Sequence, residues 1–144
     1  MPDVKSIRNV CLCGHGSSGK TTIADALLAL TKTVASNPSV DDGTSICDFD
    51  PEEKAHKYTI EASCVHFDHG GKHFNLIDTP GYPDFIGQTI GVMSAVDTAL
   101  IVINAQSGIE VNTRRVFKES EALGLGRMIC VTKMDGDNID FDGL

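Results

Sequence analysis

The stretch Gly14-His15-Gly16-Ser17-Ser18-Gly19-Lys20-Thr21 constrains this chain more than any other. It fits G-x-x-x-x-G-K-[ST], the pattern of a phosphate-binding loop (P-loop). The run before it, residues 7–13, reads as a short buried strand. The run after it, Thr22 to Leu30, reads as a helix, with Ile23, Ala26, Leu27 and Leu30 at helical spacing. Gly14, Gly16 and Gly19 tolerate positive φ, so successive N–H groups can point inward. Together with the positive end of the following helix they make a nest for phosphate. Lys20 adds a full charge at the β- and γ-phosphates, and Thr21 offers a hydroxyl to Mg2+. His15, Ser17, Ser18 and Thr22 complete the binding stretch, with the His15 side chain expected to point away from the phosphates. The alternative is a glycine-rich turn without a ligand. The strand–loop–helix context favours the site.

The rest of the chain alternates strands with helices. Thr59 to Asp68 and Lys72 to Ile77 read as a hairpin around Asp68-His69-Gly70-Gly71. Asp84 to Val92 reads as a helix with Phe85, Ile86 and Ile90 as its apolar side. Residues 99–103 form a continuous apolar run, as in a central parallel strand. Glu110 to Ala122 reads as an amphipathic helix ended by Gly124, and Arg127 to Val131 as a last strand. The expected fold is α/β of the P-loop NTPase kind: a mixed, mostly parallel sheet with flanking helices, the hairpin strand being its antiparallel edge. Residues 1–144 read as one domain. Residues 36 to about 58 are a long polar stretch. In a compact domain such a stretch is a surface loop with a short helix or a functional loop, and its position directly after the P-loop helix favours a switch over the nucleotide.

Composition narrows the function classes. With 41% apolar and 22% charged residues the balance is that of an ordinary globular domain. The net charge of −8 argues against direct DNA binding by this segment. No apolar stretch approaches the roughly 20 residues that span a bilayer, and the N-terminus lacks the apolar core of a signal peptide. Five cysteines without a CxxC pair suit a reduced, cytoplasmic setting. Cys11 and Cys13, two apart on a strand, are expected to share one face of the core. The chain is expected to be a monomer.

In an open α/β sheet, ligands bind beyond the carboxyl ends of the strands. Besides the P-loop, two further motifs fall there. Asp78-Thr79-Pro80-Gly81 follows an apolar strand. An acid at that point holds Mg2+ through a water, and the Gly81 N–H can reach a γ-phosphate. Thr132-Lys133-Met134-Asp135 resembles the N-K-x-D box of GTPases, with Thr in place of Asn. In that box the aspartate accepts two N–H bonds from the guanine edge and the lysine stem lies over the base. Adenine lacks those donors, so the box argues for GTP over ATP. Each short motif is weak alone; three in order, each after an apolar strand, are strong. A P-loop ATPase with a coincidental TKMD is the rival.

Together these stretches resemble the N-terminal part of the elongation factor G family of translational GTPases. Residues 78–85, DTPGYPDF, resemble its DTPGHVDF; residues 131–135, VTKMD, resemble its VNKMD; residues 53–60 line up with its switch I segment ending in RGITI. The resemblance implies GTP/GDP and Mg2+ as cofactors, the ribosome as partner through the full-length protein, and Thr59 as the switch I threonine that ligates Mg2+ beside Thr21 and Asp78. It implies a cycle in which GTP orders both switches and hydrolysis releases them. The family's G domain continues past a point equivalent to Leu144 with a helix, a strand and an S-A-L/K loop. The sequence is therefore expected to be C-terminally incomplete, to expose one face of its last strand, and to bind nucleotide weakly by itself.

Several positions depart from the family. Tyr82 stands where a histidine orients the attacking water, so the catalytic set reads Tyr82, Lys20 and Gly81. A phenol is neutral near pH 7; it exchanges hydrogen bonds with water and does not act as an imidazolium. Tyr58 replaces an isoleucine and Gly16 a bulkier residue, a pair of changes that can compensate. His56-Lys57 replace Arg-Gly. Thr132 lacks the amide that ties the base-reading loop to the P-loop, though a hydroxyl can keep part of that tie. These departures favour an elongation-factor-G-like paralogue over the translocase itself. A non-catalytic GTP-binding regulator and a ribosome-protection or release-factor-type GTPase stand as alternatives. Three other features read as structural: His66, His69 and His73 as a solvent-facing group rather than a metal site, Asn138 to Gly143 as a polar loop rather than a Ca2+ loop, and the acidic run Asp48 to Glu53 as a solvated face.

Overall fold

The central strands are those whose residues are apolar on both faces. In a computed structural model describing residues 3–136 and residue 139, β1 (Ile7–Gly14) and β4 (Thr98–Asn104) form the middle of a five-stranded sheet. β2 (Ser63–His69), β3 (Lys72–Asp78) and β5 (Gly126–Thr132) complete it in the order β2-β3-β1-β4-β5. β1 runs parallel to β3 and β4, and β4 parallel to β5; β2 pairs antiparallel with β3. The hairpin turns at Gly70 and Gly71, both at positive φ, as a two-residue primed turn requires. The mixed, mostly parallel sheet with an antiparallel edge matches the expected fold.

Side-chain alternation along β1 divides the core in two. Cys11 and Cys13, fully buried, face Met93 and Val116, while Leu12 faces the other way onto Ala24, Leu28 and Val102. The first layer is covered by α3 (Ile86–Met93) and α4 (Val111–Ala122), the second by α1 (Lys20–Leu30). At the sheet edge formed by β5, Met128 and Ile129 are each 60% exposed. An apolar edge strand of this kind is an aggregation liability.

Several boundaries differ from the sequence reading. The first helix begins at Lys20 rather than Thr22, because the P-loop runs directly into its first turn. The expected strand from Thr59 begins at Ser63, since the preceding amides bond to side chains instead of a ladder. The long polar stretch contains a short helix, as one of its two readings allowed: α2 (Pro51–His56), opened by Pro51 and by a capping box between Asp50 and Glu53. The expected helix from Asp84 is a 3-10 turn over Pro83–Phe85 followed by α3, whose buried face is Ile86, Thr89 and Met93. Asn138 to Gly143 lie outside the described residues, apart from Ile139.

Candidate nucleotide site

The P-loop joins the carboxyl end of β1 to α1. Gly19 stands at the helix cap with no side-chain acceptor of its own, so the first-turn N–H groups of α1 are left to a ligand. Lys20 is buried, and its Nζ donates to the His15 carbonyl at 2.6 Å. Burial pulls the Lys20 ammonium below the usual lysine range, with the Asp78 charge opposing. The His15 ring leaves the cleft, its Nε2 lying 3.3 Å from Glu110 Oε1.

Opposite the loop, three hydroxyl and carboxylate groups converge. Thr21 Oγ1 donates to Asp78 Oδ2 at 2.7 Å and lies 3.0 Å from Thr59 Oγ1. Thr59 Oγ1 donates to Asp48 Oδ1 at 2.9 Å. Burial raises the Asp78 carboxyl to about 7, against the lowering effect of the Thr21 hydrogen bond and the Lys20 charge. Asp25, Asp48 and Asp78 each keep one buried oxygen without a protein partner. Such an orphan costs on the order of 1–3 kcal/mol; among the described residues no three His, Cys, Asp or Glu side chains are grouped to hold a metal ion by themselves. Octahedral Mg2+ at 2.0–2.1 Å sets adjacent ligands about 2.9 Å apart; the Thr21–Thr59 separation fits that edge.

The turn after β3 is pinned from three sides. Thr79 Oγ1 donates to the Leu12 carbonyl, Thr89 Oγ1 to the Pro80 carbonyl, and Asn112 Nδ2 to the Gly81 carbonyl, all at 2.7–2.8 Å. Gly81 approaches the P-loop so closely that an added Cβ would meet Lys20 Nζ and lie 2.6 Å from the His15 carbonyl. Only glycine fits there. Beside it the Tyr82 ring lies over Gly16, 3.1 Å from where a Cβ would stand, and packs edge-on against Tyr58 with centroids 5.0 Å apart. The Tyr82 ring thus stands between positions 16 and 58. At the far end of the cleft, Thr132 Oγ1 donates to the Ser18 carbonyl at 2.7 Å. The hydroxyl keeps a tie between the TKMD turn and the P-loop despite the missing amide.

The cleft has a volume of about 420 Å³, within the range of small-molecule sites. Gly16, Ser17, Gly19, Lys20, Thr21, Thr22, Thr59, Gly81, Tyr82 and Lys133 line it, together with Pro38 to Asp41 from the long loop. Gly14, His15, Ser18, Asp78, Thr79, Pro80, Thr132 and Asp135 do not line it. Asp78 bonds to Thr21, which does, whereas Thr79 and Thr132 bond to the Leu12 and Ser18 carbonyls behind the lining, and Asp135 is exposed on the turn beyond Lys133. The acidic run is corrected by the structure. Asp48 and Glu53 are buried, not solvated, because the loop folds back onto Thr59 and needs acceptors there. Asp25, Asp48, Glu53, Thr89 and Asn112 were not legible as site residues: single polar residues inside helix or loop patterns carry no spacing signal.

A glycine-rich loop between a central strand and a helix, with a buried acid at the end of the adjacent strand, defines a P-loop nucleotide-binding domain. Residues 5–143 match the family model of the elongation factor Tu GTP binding domain, and the chain belongs to that family. An elongation factor G-like protein of Mycobacterium tuberculosis is 37% identical over 129 residues, covering 90% of this chain and 18% of the relative. The mitochondrial ribosome-releasing factor 2 of Pongo abelii is 33% identical over 140 residues, covering 97% and 18%. A solved structure from Thermus thermophilus superposes with a TM-score of 0.91 at 39% identity, covering 96% of this chain and 21% of that one. The chain thus spans about a fifth of the length of these relatives. Among the described residues no helix is long and apolar enough to cross a membrane.

Proposed function

We propose that this chain is the GTP-binding, GTP-hydrolysing switch domain of an elongation-factor-G-like protein acting on the ribosome in the cytoplasm. The observation that carries the reading is the convergence of Thr21, Thr59 and Asp78 beside a buried Lys20. Lys20 and the backbone N–H groups of residues 16–21 take the phosphates. Thr21, Thr59 and Asp78 would hold Mg2+, which would supply charge neutralisation at the phosphates. The Gly81 N–H faces the γ-phosphate, and the Pro80–Gly81 peptide that carries it is held through the Pro80 carbonyl by Thr89. Lys133 and Asp135 read guanine, and Thr132 braces that turn on the P-loop. Tyr82 borders the γ-phosphate end of the cleft and orients the attacking water.

The test is displacement of labelled GDP in the presence of Mg2+. GTP and GDP are expected to compete and ATP to fail; ATP winning would sink the base-reading assignment. A non-catalytic GTP-binding regulator is the second reading, favoured by the Tyr82 ring wedged between Gly16 and Tyr58 with its hydroxyl 3.5 Å from Ser17 Oγ. GTP turnover with and without ribosomes separates the two. A gain in turnover on Tyr82→His is expected if the phenol limits the rate, and no gain counts against that role.

A further inference from the structure

The backbone just after Thr59 has a hydrogen-bonding problem. Residues 60–62 precede β2, so no ladder takes their N–H groups. Ile60 and Ala62 are half-buried and Glu61 is exposed, and an N–H that water reaches poorly needs a partner. Side chains resolve it. Glu53 Oε1 accepts from the Ile60 N–H at 2.9 Å and from the Glu61 N–H at 3.1 Å, and Gln88 Oε1 accepts from the Ala62 N–H at 3.0 Å. The other Glu53 oxygen accepts from the Asp50 N–H at 3.0 Å. Glu53 is fully buried, although Glu52 and Lys54 on either side of it are exposed. It does not line the cleft. One carboxylate therefore closes the chain from Asp50 to Glu61 into a clasp, and Thr59 sits inside that clasp with its hydroxyl turned to Thr21.

We propose that Glu53 is the positioning residue of Thr59 and, through it, sets the preference of the site for GTP over GDP. The inference rests on the proposed role of Thr59 at Mg2+. GDP offers no γ-phosphate beside the cation, so a loosened Thr59 leaves its binding to the P-loop intact. With GTP the Thr59 hydroxyl must stay at ligand distance, and a displacement of about 1 Å removes it.

The experiment measures affinity for GDP and for a non-hydrolysable GTP analogue, and the Mg2+ midpoint with each, in the wild-type chain and four variants. Glu53→Ala is expected to weaken the analogue about tenfold relative to GDP and to raise its Mg2+ midpoint, because, of its three lost backbone hydrogen bonds, those from the Ile60 and Glu61 N–H groups adjoin Thr59. Glu53→Gln keeps one acceptor oxygen and is expected to lose about threefold. Asp50→Ala removes the α2 cap, whose side chain takes the Glu52 N–H at 2.7 Å, and is expected to leave the nucleotide ratio unchanged. An unchanged ratio in Glu53→Gln and Glu53→Ala, an equal loss of both nucleotides, or the same ratio change in Asp50→Ala overturns the proposal. Should Glu53→Ala unfold, Glu53→Gln decides. Wild-type chain that binds neither nucleotide, or a Thr59→Val variant with an unchanged ratio, overturns the functional reading instead.

Discussion

The two walls of the cleft are built differently. The phosphate wall hangs from the middle of the sheet: β1 pairs on both sides, and Thr79, Thr132 and Asn112 brace the turns around it. The opposite wall, residues 38–62, joins no strand until Ser63. Side-chain carboxylates hold it: Asp25 takes the Ile46 N–H, Asp48 takes the Thr59 hydroxyl, and Glu53 takes three backbone amides. A backbone ladder is cooperative and indifferent to ligand. A few side-chain bonds at about 0.5–1.5 kcal/mol each make a wall whose local opening costs far less than unfolding. The rigid wall suits recognition common to GTP and GDP, and the loose wall suits discrimination between them.

Breaking the rigid wall has the largest expected effect. Lys20→Ala removes charge-assisted bonds to phosphate worth about 1.5–3 kcal/mol each, so calorimetry is expected to show GTP and GDP both weakened by roughly a hundredfold. A loss confined to GTP would erase the distinction between the walls. The end proposed to read the base comes next. Asp135→Ala is expected to cost guanine selectivity about 1.5–3 kcal/mol in competition against ATP. Thr132→Val loses the hydroxyl's bonds to the Ser18 and Ile103 carbonyls, about 0.5–1.5 kcal/mol each, and lowers affinity without changing which base is preferred. The smallest effect is expected from Gly16→Ala. The new Cβ would lie 3.1 Å from the Tyr82 ring, which can tilt away, so nucleotide affinity should stay within about 0.5 kcal/mol of wild type. A larger loss would make Tyr82 part of the rigid wall.

The same division explains what could be read from sequence. The phosphate wall was legible because its requirements are local. Gly14 to Thr21 must be adjacent to make a nest, and Asp78 to Gly81 must follow an apolar strand. The parallel sheet was legible because residues 99–103 and the strand before the P-loop are apolar on both faces, and the hairpin because Gly70 and Gly71 suit a primed turn. The loose wall was not legible. Asp48 and Glu53 belong to an acidic run that looks solvated in sequence, and they are buried because Thr59, Ile60 and Glu61 need acceptors, a fact of tertiary placement. Asn112 and Thr89 sit on helices whose pattern reports only which side is apolar, yet each donates to a carbonyl of the turn after β3. The strand start at Thr59 failed for the same reason: side chains, not a neighbouring strand, take the amides of residues 60–62.

Amide hydrogen exchange on the chain, alone and with GDP or a non-hydrolysable GTP analogue in Mg2+, tests the two-wall account most directly. Either nucleotide is expected to protect the amides of residues 14–21, whereas only the GTP analogue is expected to add protection across residues 46–62. Equal protection of residues 46–62 by GDP and the analogue would contradict it.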